Sequence, residues 1–403
     1  MFAAAEIRFA AGAGPGAPAR GTAEDARFMR AALALGRRGL GRTAPNPSVG
    51  ALVVQTGPDA NGKPRRRIVG RGWSQPGGRP HAETMALAEA GEAARGATLY
   101  VTLEPCAHVG RTPPCADAIV AAGIRRVVSA LEDPNPSVAG RGHARLRESG
   151  IDVVTGVLGR EARRAHAGHV ARMLHRKPHV MLKLAVSADE KIGLAGRRPV
   201  PITGPEARAR AHLLRAEVDA ILIGIGTLRA DDPLLTCRLP GLEARSPIRV
   251  VIDGRLEIPV EARVVATAHE VPTWIMAAED APPERAAALA ARGVRVFRVP
   301  SRGGVAMEAA LRHVAREGVT RVLAEGGARL ARSLIDADLV DELILFRAPL
   351  RLGPEALGAL DGRPLDAALA RFRLISSRPV GADRMERYWR ARCSPASSPT
   401  SAM

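Results

Sequence analysis

Two stretches, PHAET (80–84) and TLEPCAHVGRTPPC (102–115), decide how this chain is read. They contain one His-x-Glu pair and two cysteines separated by eight residues. His81, Cys106 and Cys115 offer three protein ligands for zinc, which leaves the fourth tetrahedral position open to water. A structural zinc usually closes with four protein ligands, and no third cysteine or second ligand pair has suitable spacing. His108 is a candidate fourth ligand, although its glycine-bearing loop also suits contact with a substrate. Glu83 stands two residues beyond His81, close enough to move protons without being a ligand. His81 follows GGRP (77–80) and opens an alanine-rich helix, while Cys115 follows TPP (112–114), and proline suits a first helical turn. The positive dipole end of such a helix favours a thiolate.

Around these motifs short apolar runs alternate with helical ones. Strands are expected at VGALVVQ (49–55), TLYVTL (98–103), RRVVSAL (125–131) and IDVVTGVL (151–158), with helices at 24–36, 82–94 and 114–122. The basic segment 161–176 reads as helix. Beyond it come HVMLKLAVS (179–187), AILIGIG (220–226), IRVVID (248–253), VRVFRV (294–299), RVLAEGG (321–327) and DELILF (341–346). Helices are expected at 205–216, 283–292, 307–317 and 328–335. Strands separated by helices predict sheets with helices on their faces, and 403 residues suit two such α/β domains. The expected division is a first domain over 22–168, a linker over 169–178 and a second domain over 179–389. Residues 1–21 and 390–403 read as disordered extensions.

Composition narrows the function classes. No run approaches the ~18 apolar residues of a membrane span. Glu6 and Arg8 interrupt the Ala/Gly/Pro-rich start, which lacks the layout of an export signal, so a cytoplasmic setting is expected. Four cysteines are too few for a disulfide scaffold of this size. The net charge of +18 invites a nucleic-acid partner, but the excess is scattered arginine, with lysine only at positions 63, 177, 183 and 191. Aromatics make up 3% of the chain, a poor supply of stacking platforms for single strands. The charge reads first as a solvated, compositionally biased surface, with attraction of phosphorylated small molecules as the alternative, functional use.

The chemistry of the two halves differs. A His/Cys/Cys zinc with a non-ligating glutamate is the arrangement of nucleobase deaminases, in which Glu83 would carry the protons. In the second half, RVLAEGGARLARSLI (321–335) is an apolar strand that ends in Glu325 and two glycines and passes straight into a helix. Glycines there let backbone N–H groups approach a phosphate. GIGT (224–227) is a second glycine turn at a strand end. Neither is a GxGxxG fingerprint, so an ordinary Rossmann fold is not indicated.

TAPNPSVGALV (43–53), HAE (81–83), TLEPCAHVGRTPPC (102–115) and DPNP (133–136) together resemble the N-terminal half of the bifunctional riboflavin-biosynthesis deaminase/reductase (RibD) family. LKLAVSADEKI (182–192), ITGPEAR (202–208), LLRAEVDAILIGIGTLRADDPLLTCR (213–238) and AEGG (324–327) are similar to its reductase half. The resemblance implies a cytidine-deaminase-like three-layer α/β/α domain followed by a dihydrofolate-reductase-like α/β domain. It implies zinc-dependent deamination of 2,5-diamino-6-ribosylamino-4(3H)-pyrimidinone 5′-phosphate. NADPH-dependent reduction of the ribosyl group of 5-amino-6-(5-phosphoribosylamino)uracil then follows. By motif position Asn46, His108 and Arg111 would contact the first substrate. Lys183, Arg215, Leu235, Arg238 and Glu325 would hold the second. Val186, Thr227, Asp231 and the Gly327, Ala328, Arg329, Leu330, Ala331, Arg332, Ser333 turn would bind NADPH. A homo-oligomer through the reductase domain is also implied.

Two positions depart from the family pattern. Glu190 stands where a Ser-Leu-Asp-Gly run usually ends, and Pro201 stands where a tryptophan usually precedes Ile-Thr-Gly. On the residues alone, two further readings stay open: a nucleic-acid deaminase, and a deaminase joined to a degenerate reductase half.

Overall fold

The computed structural model describes residues 21–58, 60–108, 113–136, 138–194, 200–301 and 304–391. The expectations for most of both termini, and for Arg111, therefore lie outside the described residues. The chain forms two compact units. Among the described residues, one takes in 21–38, Ser48–Gln75 and Pro80–Ala165; Gly39–Pro47, Pro76–Arg79 and 166–391 group as the other.

The first unit is built on a five-stranded sheet. Its strands are β1 (Gly50–Pro58), β2 (Pro64–Trp73), β3 (Thr98–Val101), β4 (Arg126–Ser129) and β5 (Asp152–Thr155), in the order β2-β1-β3-β4-β5. β1 runs antiparallel to β2 and β3, and β3, β4 and β5 are parallel. Side chains alternate faces along each strand. Val53, Leu99, Val101, Val127 and Val153 pack on one face against the helices Ala82–Ala90, Cys115–Ala121 and Arg141–Glu148. Leu52, Val54, Tyr100, Val128 and Val154 pack on the other against Ala23–Gly36 and Gly159–Ala165. The result is three layers, α/β/α.

β2 is absent from the sequence reading because its start, PRRR, looks like a solvated loop. Its second half carries the structural information. Side chains at Gly70 and Gly72 would strike the backbone of the helix Ala82–Ala90, meeting Ala86 O at 2.0 Å and Ala82 O at 1.9 Å. The helix answers with a face of Ala82, Ala86 and Ala90, so it sits directly on the strand.

The second unit has a nine-stranded sheet: β6 (His179–Val186), β8 (Ala220–Gly224), β9 (Ile248–Ile252), β10 (Thr273–Ala278), β11 (Arg295–Val299), β12 (Arg321–Ala324), β13 (Glu342–Arg347), β15 (Phe372–Val380) and β16 (Asp383–Arg390). The order is β11-β10-β9-β8-β12-β6-β13-β16-β15, parallel as far as β13 and antiparallel after it. β7 (Lys191–Gly193) and β14 (Leu357–Gly358) form a separate two-stranded ladder. The helices Met307–Arg316 and Ala328–Asp336 cover one face through Leu311, Val314, Leu334 and Ile335. The helix Pro205–Ala216 packs on the other through Ala207 and Leu214. β10 and the β15–β16 hairpin were not expected from the sequence. GIGT (224–227), read as a turn, runs from the end of β8 into the short helix Ile225–Asp231. Among the described residues no helix is long and apolar enough to cross a membrane.

Asp25 ties the first helix to the sheet. It closes a capping box with Thr22, accepts both Nη groups of Arg126 at 2.8 and 3.1 Å, and accepts the Tyr100 hydroxyl at 3.0 Å. Burial opposes its ionisation, but Arg126 and the other donors outweigh burial and hold the carboxyl down at about 2, against 3.8 ordinarily. A depressed carboxylate contributes stability above its unfolded pKa, and that contribution disappears as pH falls towards the folded value. Asp25→Asn is therefore expected to cost roughly 2 kcal/mol near neutral pH and almost nothing near pH 2. Urea denaturation of both forms across that range checks this; a difference independent of pH would reject it.

Candidate active sites

His81 occupies the N-cap position of the helix Ala82–Ala90, in extended backbone, and its side chain makes no capping hydrogen bond. The imidazole is thus directed elsewhere. Its Nδ1 lies 3.2 Å from Cys115 Sγ and 3.7 Å from Cys106 Sγ, and the three donor atoms all fall within 4.8 Å of one another. Ligand bonds of about 2.0 to 2.3 Å in a tetrahedron put neighbouring donors about 3.5 Å apart, so this soft donor set fits zinc. Cys115 is the first residue of the helix Cys115–Ala121, and its backbone N–H donates to Cys106 Sγ at 3.3 Å. A hydrogen bond from Cys115 pulls the Cys106 thiol down to about 4, and the same interaction pushes Cys115 up.

Glu83 lies in the first turn of the helix that follows His81 and is 4% exposed. Burial raises its carboxyl to about 7, against the opposing pull of its own backbone N–H and of His81. A carboxyl titrating near neutrality beside an open metal position is suited to taking up and returning a proton. His108 is exposed and lies in the same loop as Cys106. Asn46 donates its amide to Gly77 O at 2.9 Å. Arg111 is outside the described residues.

Glu104, two residues before Cys106, was not singled out from sequence. Its side chain is fully buried and its two oxygens accept four backbone N–H groups, from Asp133, Gly140, Gly142 and His143, at 2.8–3.3 Å. Glu104, Glu132 and His143 have metal-like spacing, but the Glu104 oxygens are already filled by amides. The carboxylate instead fastens the DPNP loop and the start of the helix Arg141–Glu148 to the segment that delivers Cys106. Only long-range contacts reveal this role, and TLEPC gives no hint of its partners.

In the second unit a cavity of about 750 Å³ opens at the carboxyl ends of the parallel strands, where ligands of open α/β sheets bind. Lys183, Arg215, Arg238 and Glu325 line it, from four separate parts of the chain. Glu325 directly follows β12, and Arg215 forks onto it, with Nε and Nη2 each 2.9 Å from a carboxylate oxygen. Burial opposes the Glu325 charge, but Arg215 and then Lys183 hold its carboxyl down at about 2. Burial lowers the Lys183 pKa, and Glu325 works against it.

Thr227, Asp231, Gly327, Ala328, Arg329, Leu330 and Ser333 also line this cavity. Thr227 Oγ1 accepts the Gly327 N–H at 2.9 Å, which joins the two glycine-bearing strand ends. Leu235 lines an adjoining recess. Val186 and Ala331 are buried away from the cavity and Arg332 is exposed beside it, so these three are not brought together with the rest. His212, absent from the sequence reading, lines the cavity and accepts the Arg238 backbone N–H on Nδ1 at 3.2 Å. The run of glycines, small residues and N–H groups at the strand ends, with a volume typical of ligand cavities, fits a phosphorylated cofactor.

The two unusual residues have different consequences. Glu190 adopts φ +61°, the left-handed region that glycine occupies most cheaply. Its carboxylate pairs with Arg347 at 3.2 Å and its carbonyl accepts the Ala359 N–H, which offsets the strain locally. Glu190 does not line the cavity, whereas Pro201 does.

A His/Cys/Cys donor set beside a buried carboxyl in one unit, and in the other a strand-end cavity with a cationic and glycine-rich lining, are the two sites of a deaminase–reductase. Residues 22–131 match the cytidine and deoxycytidylate deaminase zinc-binding region, and 178–385 match the RibD C-terminal domain. The riboflavin biosynthesis protein RibD of Escherichia coli is 40% identical over 374 residues, 89% of this chain and 98% of that protein. The Aquifex aeolicus protein is 39% identical over 346 residues, 86% of this chain and 93% of its own. A structure of Acinetobacter baumannii RibD superposes with a TM-score of 0.80 at 34% identity, covering 92% of this chain and 99% of that one. The crystal structure of a diaminohydroxyphosphoribosylaminopyrimidine deaminase/5-amino-6-(5-phosphoribosylamino)uracil reductase from Thermotoga maritima gives 0.77 at 32% identity, covering 91% and 99%. The chain belongs to the RibD family of bifunctional riboflavin-biosynthesis enzymes, which join a zinc-dependent deaminase to an NADPH-dependent reductase.

Glu104→Gln keeps the shape of the side chain but turns an NH2 group towards backbone donors. It is expected to cost about 2–3 kcal/mol and to release the loop. Amide hydrogen exchange at Gly140, Gly142 and His143 reads this directly; unchanged protection would remove Glu104 from the argument.

Proposed function

We propose that the first unit deaminates 2,5-diamino-6-ribosylamino-4(3H)-pyrimidinone 5′-phosphate and that the second reduces the ribosyl group of the resulting 5-amino-6-(5-phosphoribosylamino)uracil. The observation that carries this reading is the convergence of His81, Cys106 and Cys115 beside the buried Glu83. His81, Cys106 and Cys115 would hold zinc, which when bound supplies the Lewis acidity that makes water a nucleophile near neutral pH. Glu83 takes the proton released from water and returns it to the leaving amino nitrogen, so that ammonia departs neutral. Asn46, His108 and Arg111 hold the pyrimidine and its phosphate.

In the second unit NADPH, when bound along the Thr227–Asp231 and Gly327–Ser333 segments, supplies the hydride. Lys183 and Glu325 orient the opened ribose at the base of the cavity, with Arg215 fixing the Glu325 carboxylate. Leu235 and Arg238 face the phosphate end. We also infer self-association through the second unit, where β15 is an exposed edge strand of the sheet. The thiolate ligands suit a reducing cytoplasm.

A coupled assay separates the two activities. Glu83→Ala is expected to reduce ammonia release by at least about 100-fold, the usual scale for a lost general acid–base. Given the deaminated uracil, that variant should still oxidise NADPH. Arg238→Ala should show the reverse pattern. Loss of both activities in either variant would contradict the assignment of two independent sites.

A further inference from the structure

Beside the main cavity lies a recess of about 420 Å³ lined by Arg215, Asp231, Leu235, Arg238 and Arg263. Its first three cationic or acidic members, Arg215, Asp231 and Arg238, also line the main cavity, so the two spaces adjoin. Arg263 belongs to no motif discussed above. We propose that Arg263 is a ligand for the 5′-phosphate of the reductase substrate, clamping it together with Arg238, and that Arg215 is a positioning residue acting through Glu325. The proposal rests on reading this cavity as the reductase site.

Three observations support the division of labour. Arg215 is already engaged, with Nε and Nη2 on Glu325 and Nη1 on Thr236 O at 3.0 Å. The guanidiniums of Arg238 and Arg263, by contrast, enter no ion pair among the described residues. Among the described residues the Arg263 guanidinium reaches one acceptor, the Asp232 carbonyl, at 3.4 Å from Nη1, while its backbone N–H donates to Asp232 Oδ1 at 2.9 Å. Burial, followed by the charges of Arg215 and Arg263, lowers the Arg238 pKa. Asp231 is the one acid among the residues lining the recess, and Arg238 and Arg263 repel each other there; a dianion between them reverses the sign of that interaction. Guanidinium forks match phosphate oxygens bidentately.

The recess is also built to keep its shape. Asp232 and Leu235 both adopt left-handed backbone, at φ +36° and +57°, a strain that needs support from outside the turn. That support comes from Arg249, which is fully buried on β9. Its Nη1 reaches Leu234 O at 3.5 Å and Thr267 Oγ1 at 2.7 Å, and its Nη2 reaches Thr267 O at 2.9 Å. Thr267 Oγ1 in turn donates to Arg263 O at 2.7 Å. One buried side chain thus spans the two walls that carry Arg238 and Arg263.

The test uses the full-length enzyme, with ribose 5-phosphate as a binding probe and the phosphorylated uracil as substrate. Arg263→Gln is expected to raise the substrate KM and the ribose 5-phosphate Kd by roughly 10- to 100-fold, the scale of one charged hydrogen bond. kcat should stay within about threefold and the NADPH Kd should not move. Arg263→Lys should restore part of the loss, which a collapsed loop would not allow. Arg215→Lys should instead lower kcat while ribose 5-phosphate still binds. An unchanged KM in Arg263→Gln overturns the inference, as does a rise confined to the NADPH Kd, which would give the recess to the cofactor's phosphate. If the wild-type enzyme neither binds ribose 5-phosphate nor turns over the uracil, the reading of the cavity fails before the role of Arg263 is reached.

Discussion

The zinc site depends on how closely the helix Ala82–Ala90 approaches β2. Any side chain at positions 70 or 72 would meet the helix backbone at about 2 Å, well inside contact distance. With glycine on the strand and alanine on the helix, the helix N-terminus is fixed to within the tolerance of packed backbone. That terminus carries His81 just outside the helix and Glu83 just inside it. The proposed metal ligand and the proposed proton carrier, two residues apart, therefore inherit the position of a whole helix.

The other side of the donor set is fixed differently. Cys106 lies on a loop, and loops lack the internal hydrogen bonds that hold a helix in place. Glu104 compensates by collecting four amides from the 133–143 segment, and the N–H of Cys115 points at Cys106 Sγ. Packing positions the histidine and hydrogen bonding positions the cysteines, which explains why TLEPC carries a buried carboxylate so near the candidate metal ligands. Unpaired, such a carboxylate would be costly; with four donors it is satisfied.

Much of this was legible in the sequence because the informative contacts are local. The ligand spacing, the helix starts at His81 and Cys115, and the glycine-bearing ends of β8 and β12 each occupy a few consecutive residues. The α/β alternation was visible for the same reason. What could not be read depends on partners far along the chain. β2 hides behind PRRR because its buried second half is covered by helices far from it in sequence or after it, Ala82–Ala90 on one face and Ala23–Gly36 on the other. β10 places six consecutive buried residues, TWIMAA, between two parallel strands and so shows no alternation. Glu104 meets its donors about 30 to 40 residues later. His212 and Arg263 enter the second site only because the sheet brings residues 183 to 325 together. Glu190 shows the reverse case: the sequence marked it as unusual, but only the ion pair with Arg347 shows how a non-glycine residue is tolerated there.

The excess of arginine also takes on a different meaning at the level of single residues. Several of these side chains are structural fasteners: Arg126 binds Asp25, Arg249 holds three backbone carbonyls and a threonine hydroxyl, and Arg215 forks onto Glu325. Guanidinium suits that work because its charge persists when it is buried and its five donors can satisfy several acceptors at once. A net charge of +18 therefore describes no single surface. In the recess beside the proposed reductase site, Arg238 and Arg263 are the lining cations left without an ion pair among the described residues, which suits them to a substrate phosphate. A two-step enzyme whose substrates both carry a phosphate needs few unpaired cations, provided that each is held in the right place.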